Sequence, residues 1–305
     1  MSLALSVLPL ILIIALGYLL AKSDVLPKPD WKGIETLSFR VLIPAVLILT
    51  LSRTDLSFAL YGGVMKSFLL TWAVIACLAL MLRLLPQVRL GNPGFTTIFQ
   101  AGTRWNAFVA LAAAEQFLGA SGLGVIAIAI ALLIPTINVT CIIVLTAFGP
   151  QSTTAGHVIK TVAKNPLVQA CAVGLVIYSS GITLPMPVIE ALDMVGRGAL
   201  AVGLLAVGAG VSLRRLGRWD WRLGMAILMR PLLAPAVFAS IAAVLALNPE
   251  QTLAGVLVFA APAASNGYIV AKQMGGDADL YADVLTWQTV LSLAVLPLWA
   301  GYLLG

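Results

Sequence analysis

Charge is what this sequence has least of. Only 10% of its 305 residues are Asp, Glu, Lys or Arg, against 61% hydrophobic residues, and its mean hydropathy is +1.04. A water-soluble domain needs a polar coat that so few charges cannot supply. Histidine occurs once, at His157, and cysteine three times, at Cys77, Cys141 and Cys171, each inside an apolar run. No metal-ligand spacing or disulfide pattern results, so the cysteines read as small packing residues. No phosphate-binding, metalloprotease or flavin motif occurs, and neither a metal nor a cofactor is expected. The net charge of +6 does not imply a nucleic-acid partner. Lys and Arg lie in short loops between apolar runs, where they set membrane topology.

What the chain does have is apolar runs of about 20 residues, the length that crosses hydrocarbon as a helix. Ten fall near 2–21, 34–52, 65–86, 94–118, 122–147, 165–182, 188–212, 222–247, 251–274 and 280–304. Lys28-Pro29-Asp30, Gly91-Asn92-Pro93, Lys164-Asn165-Pro166, Asn248-Pro249-Glu250 and Gly275-Gly276-Asp277 punctuate them. The expectation is an all-α integral membrane protein in the bilayer, a single domain over 1–305. Leu3–Leu20 lacks a basic leader and more spans follow, so it reads as a retained first helix rather than a signal peptide.

Orientation follows from the basic residues. With the N-terminus outside, the inner loops hold Lys22, Lys28, Lys32, Arg83, Arg89, Lys160, Lys164, Arg214, Arg215, Arg218 and Arg222, and the outer side only Arg53 and Lys66. This positive-inside bias predicts both termini on the outer, periplasmic face of a cell inner (plasma) membrane.

Four echoes relate 1–150 to 160–305. Gly17 matches Gly174 at an offset of 157, and Leu26-Pro27 matches Leu184-Pro185 at 158. Asn106-Ala-Phe-Val matches Asn266-Gly-Tyr-Ile at 160, and Ile134-Pro135 matches Leu296-Pro297 at 162. The drift fits a duplicated five-helix unit, and an odd number of spans per unit inverts one copy relative to the other. The fourth span of each unit is interrupted, by Gln100-Ala-Gly-Thr-Arg-Trp-Asn106 and by Ala261-Pro-Ala-Ala-Ser-Asn-Gly267. Pro262 removes a backbone donor, while Gly102 and Gly267 ease unwinding. Opened backbone at membrane depth must be buried in protein or line a wet cavity. A half-helix starting there turns its N–H groups toward an anion.

At these residues the chain resembles the auxin efflux carrier family, its bacterial members in particular. The matching stretches are Gly17-Tyr-Leu-Leu, Arg104-Trp-Asn-Ala-Phe-Val-Ala-Leu, Ile134-Pro-Thr-Ile-Asn138, Lys164-Asn-Pro-Leu-Val, Leu204-Leu-Ala-Val-Gly-Ala-Gly, and Ala261-Pro-Ala-Ala-Ser-Asn-Gly-Tyr running on to Gly275-Gly-Asp. The resemblance implies two inverted five-helix repeats in the bile-acid/sodium symporter-like fold. It also implies broken fourth and ninth helices that cross, with substrate bound beside the crossing. Helices 1, 2, 6 and 7 would form a scaffold, through which family members pair as homodimers. Plant members carry auxin, and bacterial ones are called malate or malonate permeases. Plant members have a proline at the helix 4 crossing, where this chain has Trp105 before Asn106.

The expected partner is thus a small organic anion carried by a permease. Arg104 fits a substrate carboxylate, or carbonyls freed by the helix break. Asn106 and Asn266 fit a ligand oxygen, or a cap on each half-helix. Thr103 and Ser265 share that ambiguity, and Gly102, Pro262 and Gly267 complete the candidate site. Arg40 and Arg230 read as snorkelling residues, and Arg197 as the partner of Asp193 one helical turn away. Asn138, Thr286 and Gln288 either line a cavity or bridge helices. Two rivals are a channel and a binding-only receptor. A third, an intramembrane protease, is the weakest. Gly119-Ala-Ser121-Gly122 fits a serine motif, but His157 falls on the opposite side, and a tight turn explains it.

Overall fold

The computed structural model describes residues 3–53, 58–84, 90–149 and 163–304, with isolated positions between 154 and 160. His157 and Arg89 lie outside the described residues. Among the described residues the fold is all-helical. Six helices among the described residues are long and apolar enough to cross a membrane: Pro29–Arg53, Leu60–Leu84, Asn92–Phe148, Met186–Gly210, Trp221–Val244 and Ala278–Leu304. Two shorter apolar helices, Leu8–Lys22 and Pro166–Ser180, accompany them.

In chain order, α1 (Leu3–Lys22) leads to α2 (Lys28–Leu37), which passes through a π-turn (Ser38–Leu42) into α3 (Ile43–Arg53). Next come α4 (Phe58–Met81), α5 (Asn92–Thr103) and α6 (Ala107–Phe148). The second half holds α7 (Pro166–Ser180), α8 (Met186–Gly210) and α9 (Trp221–Ile227), followed by a π-turn (Leu228–Leu233) and α10 (Ala234–Val244). It ends with α11 (Pro249–Ala260), α12 (Asn266–Met274) and α13 (Ala278–Leu304). Prolines open many of these helices, Pro29, Pro93, Pro166 and Pro249 lying in the first turn, where a missing N–H costs nothing. Gly119 interrupts α6 at φ 62, ψ −142, and Ser121 Oγ donates to Leu118 O beside it. The Gly-Ala-Ser-Gly stretch is thus a kink with small residues, near the boundary read from the sequence.

Helices pack here through small residues, because lipid offers no hydrophobic drive for one apolar helix to prefer another. A Cβ on Gly17 would stand 2.1 Å from Leu205 O, and one on Gly208 1.9 Å from Ile14 O, so α1 and α8 touch backbone to backbone. Gly174 does the same for α7 against α3, where a Cβ would meet Leu51 Cβ at 2.9 Å. The two glycines paired by the sequence echo therefore play matching parts, each seating one helix against another. On the other side, Phe68, Phe238 and Phe259 bring α4, α10 and α11 together, with ring centroids 5.4 to 6.2 Å apart. Leu12, Leu16 and Leu19 of α1, and Val173 and Val176 of α7, face outward, as lipid-facing positions should.

Candidate functional site

The first break needs no proline. Arg104 N still donates to Gln100 O at 2.8 Å, closing the last turn of α5, and Arg104 itself is extended at φ −74, ψ 147. Two residues later Asn106 starts the next helix as its cap. Its Oδ1 accepts from Phe108 N at 3.0 Å and Val109 N at 3.3 Å, satisfying two of the free N–H groups at a helix start. Capping by Asn106 thus ends the interruption that a proline would otherwise enforce.

The second break is proline-driven. Ala261, restricted by the ring of Pro262, leaves the helical region at φ −60, ψ 146. The opened strand is then held from α13. Gln288 Oε1 accepts from Ala263 N at 2.9 Å, while its Nε2 donates to Ala226 O at 2.8 Å. Tyr281 OH donates to Ala264 O and Ser292 Oγ to Ala260 O, both at 2.7 Å. Gly267 is required where it stands, since a Cβ would lie 2.0 Å from the Tyr281 hydroxyl. Unlike Asn106, Asn266 caps nothing. Ser265 occupies the cap position without a side-chain bond, and Asn266 is exposed.

The two breaks touch. Asn106 N donates to Pro262 O at 2.8 Å, joining backbone that is far apart in the chain. Each of α5 and α11 ends at this contact, so their carbonyls and negative dipole ends meet there. Arg230 answers them. Only 1% exposed, its guanidinium donates through Nε to Gly102 O at 3.3 Å. Through Nη1 it donates to Val258 O at 2.9 Å and Ala261 O at 3.2 Å, beneath the Phe259 ring at 5.5 Å. This corrects the snorkelling reading. Arg230 is the buried cation that binds the ends of both short helices, and the freed-carbonyl role weighed for Arg104 belongs to it. The sequence signal was an Arg-Pro pair inside an apolar run, which marks a helix interruption rather than a helix end.

A cavity of about 260 Å³ lies beside the crossing and reaches exposed Lys32 and Thr36. Arg104, Asn106, Ser265 and Asn266 line it. Arg104 is 5% exposed, and its Nη1 donates to Asn138 Oδ1 at 3.1 Å. Its buried Nε has no hydrogen-bond partner. That N–H is closed off inside the protein, so what Arg104 offers a solute is its charge and the part of the guanidinium that lines the cavity. The other four residues picked from sequence do not line the cavity but lie behind it. Gly102 backs onto Met229, Thr103 Oγ1 donates to Phe99 O at 2.7 Å, Pro262 accepts from Asn106, and Gly267 lies under Tyr281. Asn138 also lines the cavity, whereas Thr286 and Gln288 bridge helices, Thr286 Oγ1 accepting from Ser212 N at 3.4 Å. Arg197 pairs with Asp193 on the surface of α8.

A charged cluster joins the segment after α8 to the start of α13. Arg215 Nη1 meets Asp283 Oδ1 at 2.6 Å and its Nη2 meets Asp279 Oδ1 at 3.2 Å, while Arg222 Nη1 meets Asp277 Oδ2 at 3.1 Å. The hydrogen bond it donates to Asp283 holds the Arg215 guanidinium above its usual range. The hydrogen bond from Arg222 holds the Asp220 carboxyl below its own.

In comparisons with known proteins, a family model described as "Membrane transport protein" matches residues 126–300. No curated protein matches the chain.

Proposed function

The chain belongs to the auxin efflux carrier family of membrane transport proteins, and from that premise we propose that it is a secondary transporter for a small organic anion. In this reading it works by alternating access around the crossing of its two broken helices. It has ten spans in two inverted units, 1–150 and 160–305, in a single transporter domain of a cell inner membrane. Both termini lie outside, and two chains pair through the scaffold side. Support for the repeat comes from Gly17 and Gly174, from Pro27 and Pro185 capping at nearly equal dihedrals (φ −58 with ψ 147 and 142), and from the paired breaks.

One observation carries the substrate reading. Arg104 is nearly buried, lines the cavity beside the crossing and keeps Nε without a partner. A charged residue at membrane depth costs about 2.5–3.5 kcal/mol on insertion scales, so its presence calls for a role. The role here is to hold the solute's anionic group beside the N-terminus of α6, with Asn106, Ser265 and Asn266 as further polar contacts. Gly102, Thr103, Pro262 and Gly267 shape the break that presents them. Transporter families are not enzyme families, and no catalytic step is part of this reading.

Uptake into proteoliposomes tests it, with mono- and dicarboxylates offered beside neutral analogues. Saturable uptake with exchange of internal for external solute is expected, and Arg104→Gln should abolish it in folded protein. Flux without exchange would make the protein a channel. Binding without flux would make it a receptor, and unchanged uptake by Arg104→Gln would remove that residue from the site.

A further inference from the structure

A second guanidinium faces the same cavity and has no role in the site described above. Lys32, Glu35, Thr36, Phe39, Arg40 and Ile43 all line it, at the spacing of one helix face continued through the π-turn Ser38–Leu42. That turn is real in its bonding, since Ile43 N reaches back five residues to Ser38 O. The extra residue of such a turn rotates α3 relative to α2, and turns of this kind recur at functional sites. Arg40 sits inside it, within an apolar span, exposed to the cavity. Among the described residues its guanidinium meets no hydrogen-bond or ion-pair partner, not even Glu35 on the same face. Arg230 spends its donors on carbonyls, and Arg104 spends one on Asn138. Arg40 spends none.

We propose that Arg40 is the docking cation of this cavity. It receives the anionic group of a solute entering past Lys32 and Thr36, before that group reaches Arg104. The two guanidiniums stand on different walls, one on the π-turn between α2 and α3, the other on the broken segment between α5 and α6. An anion between them is attracted by both, and transfer from one to the other carries it inward. This inference rests on the anion-transport reading for its role in uptake, but the attraction itself does not depend on transport.

Iodide quenching of Trp105, which lines the same cavity, separates the two. The Trp105 signal is the difference between the parent and Trp105→Phe, with neutral acrylamide as the control. Arg40→Gln should weaken iodide quenching severalfold and leave acrylamide quenching unchanged, while Arg40→Lys restores most of it. In transport from the Lys32 side, Arg40→Gln should raise KM on the order of tenfold, the effect of losing one nearby charge at intermediate dielectric, with maximal rate within about twofold. Equal iodide quenching in parent and Arg40→Gln would overturn the proposal, whatever the protein carries. So would a loss of acrylamide response in Arg40→Gln and Arg40→Lys alike, because Arg40 would then be a folding residue. Arg40-dependent iodide quenching in a protein that takes up no anion would leave docking intact and sink the transport reading alone.

Discussion

The ring of Phe108 lies directly on Gly203: a Cβ built on that glycine would stand 1.9 Å from Phe108 Cδ1. Both residues line the cavity, Phe108 in the first turn after the break and Gly203 on α8. The contact closes the cavity wall where the broken segment meets the long helix. On the alternating-access reading it must part and re-form in each cycle. Gly203→Ala forces the ring away, and overpacking of this kind costs about 1–3 kcal/mol. Exchange should slow on the order of tenfold at equal protein level. Because the residues touch, the effects should not add. The double variant Gly203→Ala, Phe108→Ala should exchange faster than Gly203→Ala alone, and additive rates measured by counterflow would refute the contact's role.

Arg230 is expected to be a stability residue first. Removing it leaves the carbonyls of Gly102, Val258 and Ala261 without their donor, and buried polar groups left unpaired cost about 1–3 kcal/mol each. Arg230→Met should lower the melting temperature of detergent-solubilised protein clearly and stop uptake with it. Arg230→Lys, a point charge without the guanidinium's fork, should recover only part. An unchanged melting temperature for Arg230→Met would mean the two helix ends do not need it.

Asn138 positions Arg104 through one bond of 3.1 Å, which permits a graded test. Asn138→Ala frees the guanidinium and should raise KM for the anion severalfold with a smaller effect on maximal rate. Asn138→Asp instead supplies a permanent carboxylate partner at the same place. It should neutralise Arg104 toward the solute and weaken uptake far more than alanine does. The reverse order in a dose–uptake series would contradict an anion-holding Arg104.

The second break was legible in the sequence because Pro262 has local backbone consequences. Gly102 and Gly267, expected to ease unwinding, are instead helical and allow close packing against Met229 and Tyr281. Arg104 and Asn106 were legible because polar residues in an apolar run stand out. Arg230 was misread, since its partners are backbone carbonyls 28 to 128 residues away and carbonyls leave no mark on a sequence. The unequal parts of Asn106 and Asn266 were hidden for the same reason. Their motifs match, but one start is capped by its own side chain and the other follows a segment held by Gln288 and Tyr281. The π-turn under Arg40 escaped notice because nothing in Ser-Phe-Arg-Val-Leu departs from ordinary helix composition.

The charged cluster at the start of α9 should make acid stability depend on Asp220. Its Oδ1 caps the helix by accepting from Arg222 N at 2.9 Å, and its Oδ2 accepts from Arg222 Nε at 2.7 Å. The carboxyl is held below the usual range by that guanidinium, so the folded state favours the ionised form. The stabilisation is therefore complete above the unfolded pKa of about 4 and is lost as pH falls through the lower folded value. Asp220→Asn keeps the cap but cannot ionise, and should flatten this acid limb of the melting curve between about pH 5 and 3. Asp220→Ala loses the cap as well, which costs about 1 kcal/mol at every pH. Melting temperatures of the three proteins over that range decide it: parallel curves for parent and Asp220→Asn would show that the ion pair adds nothing, leaving the cap alone to hold α9 at its start.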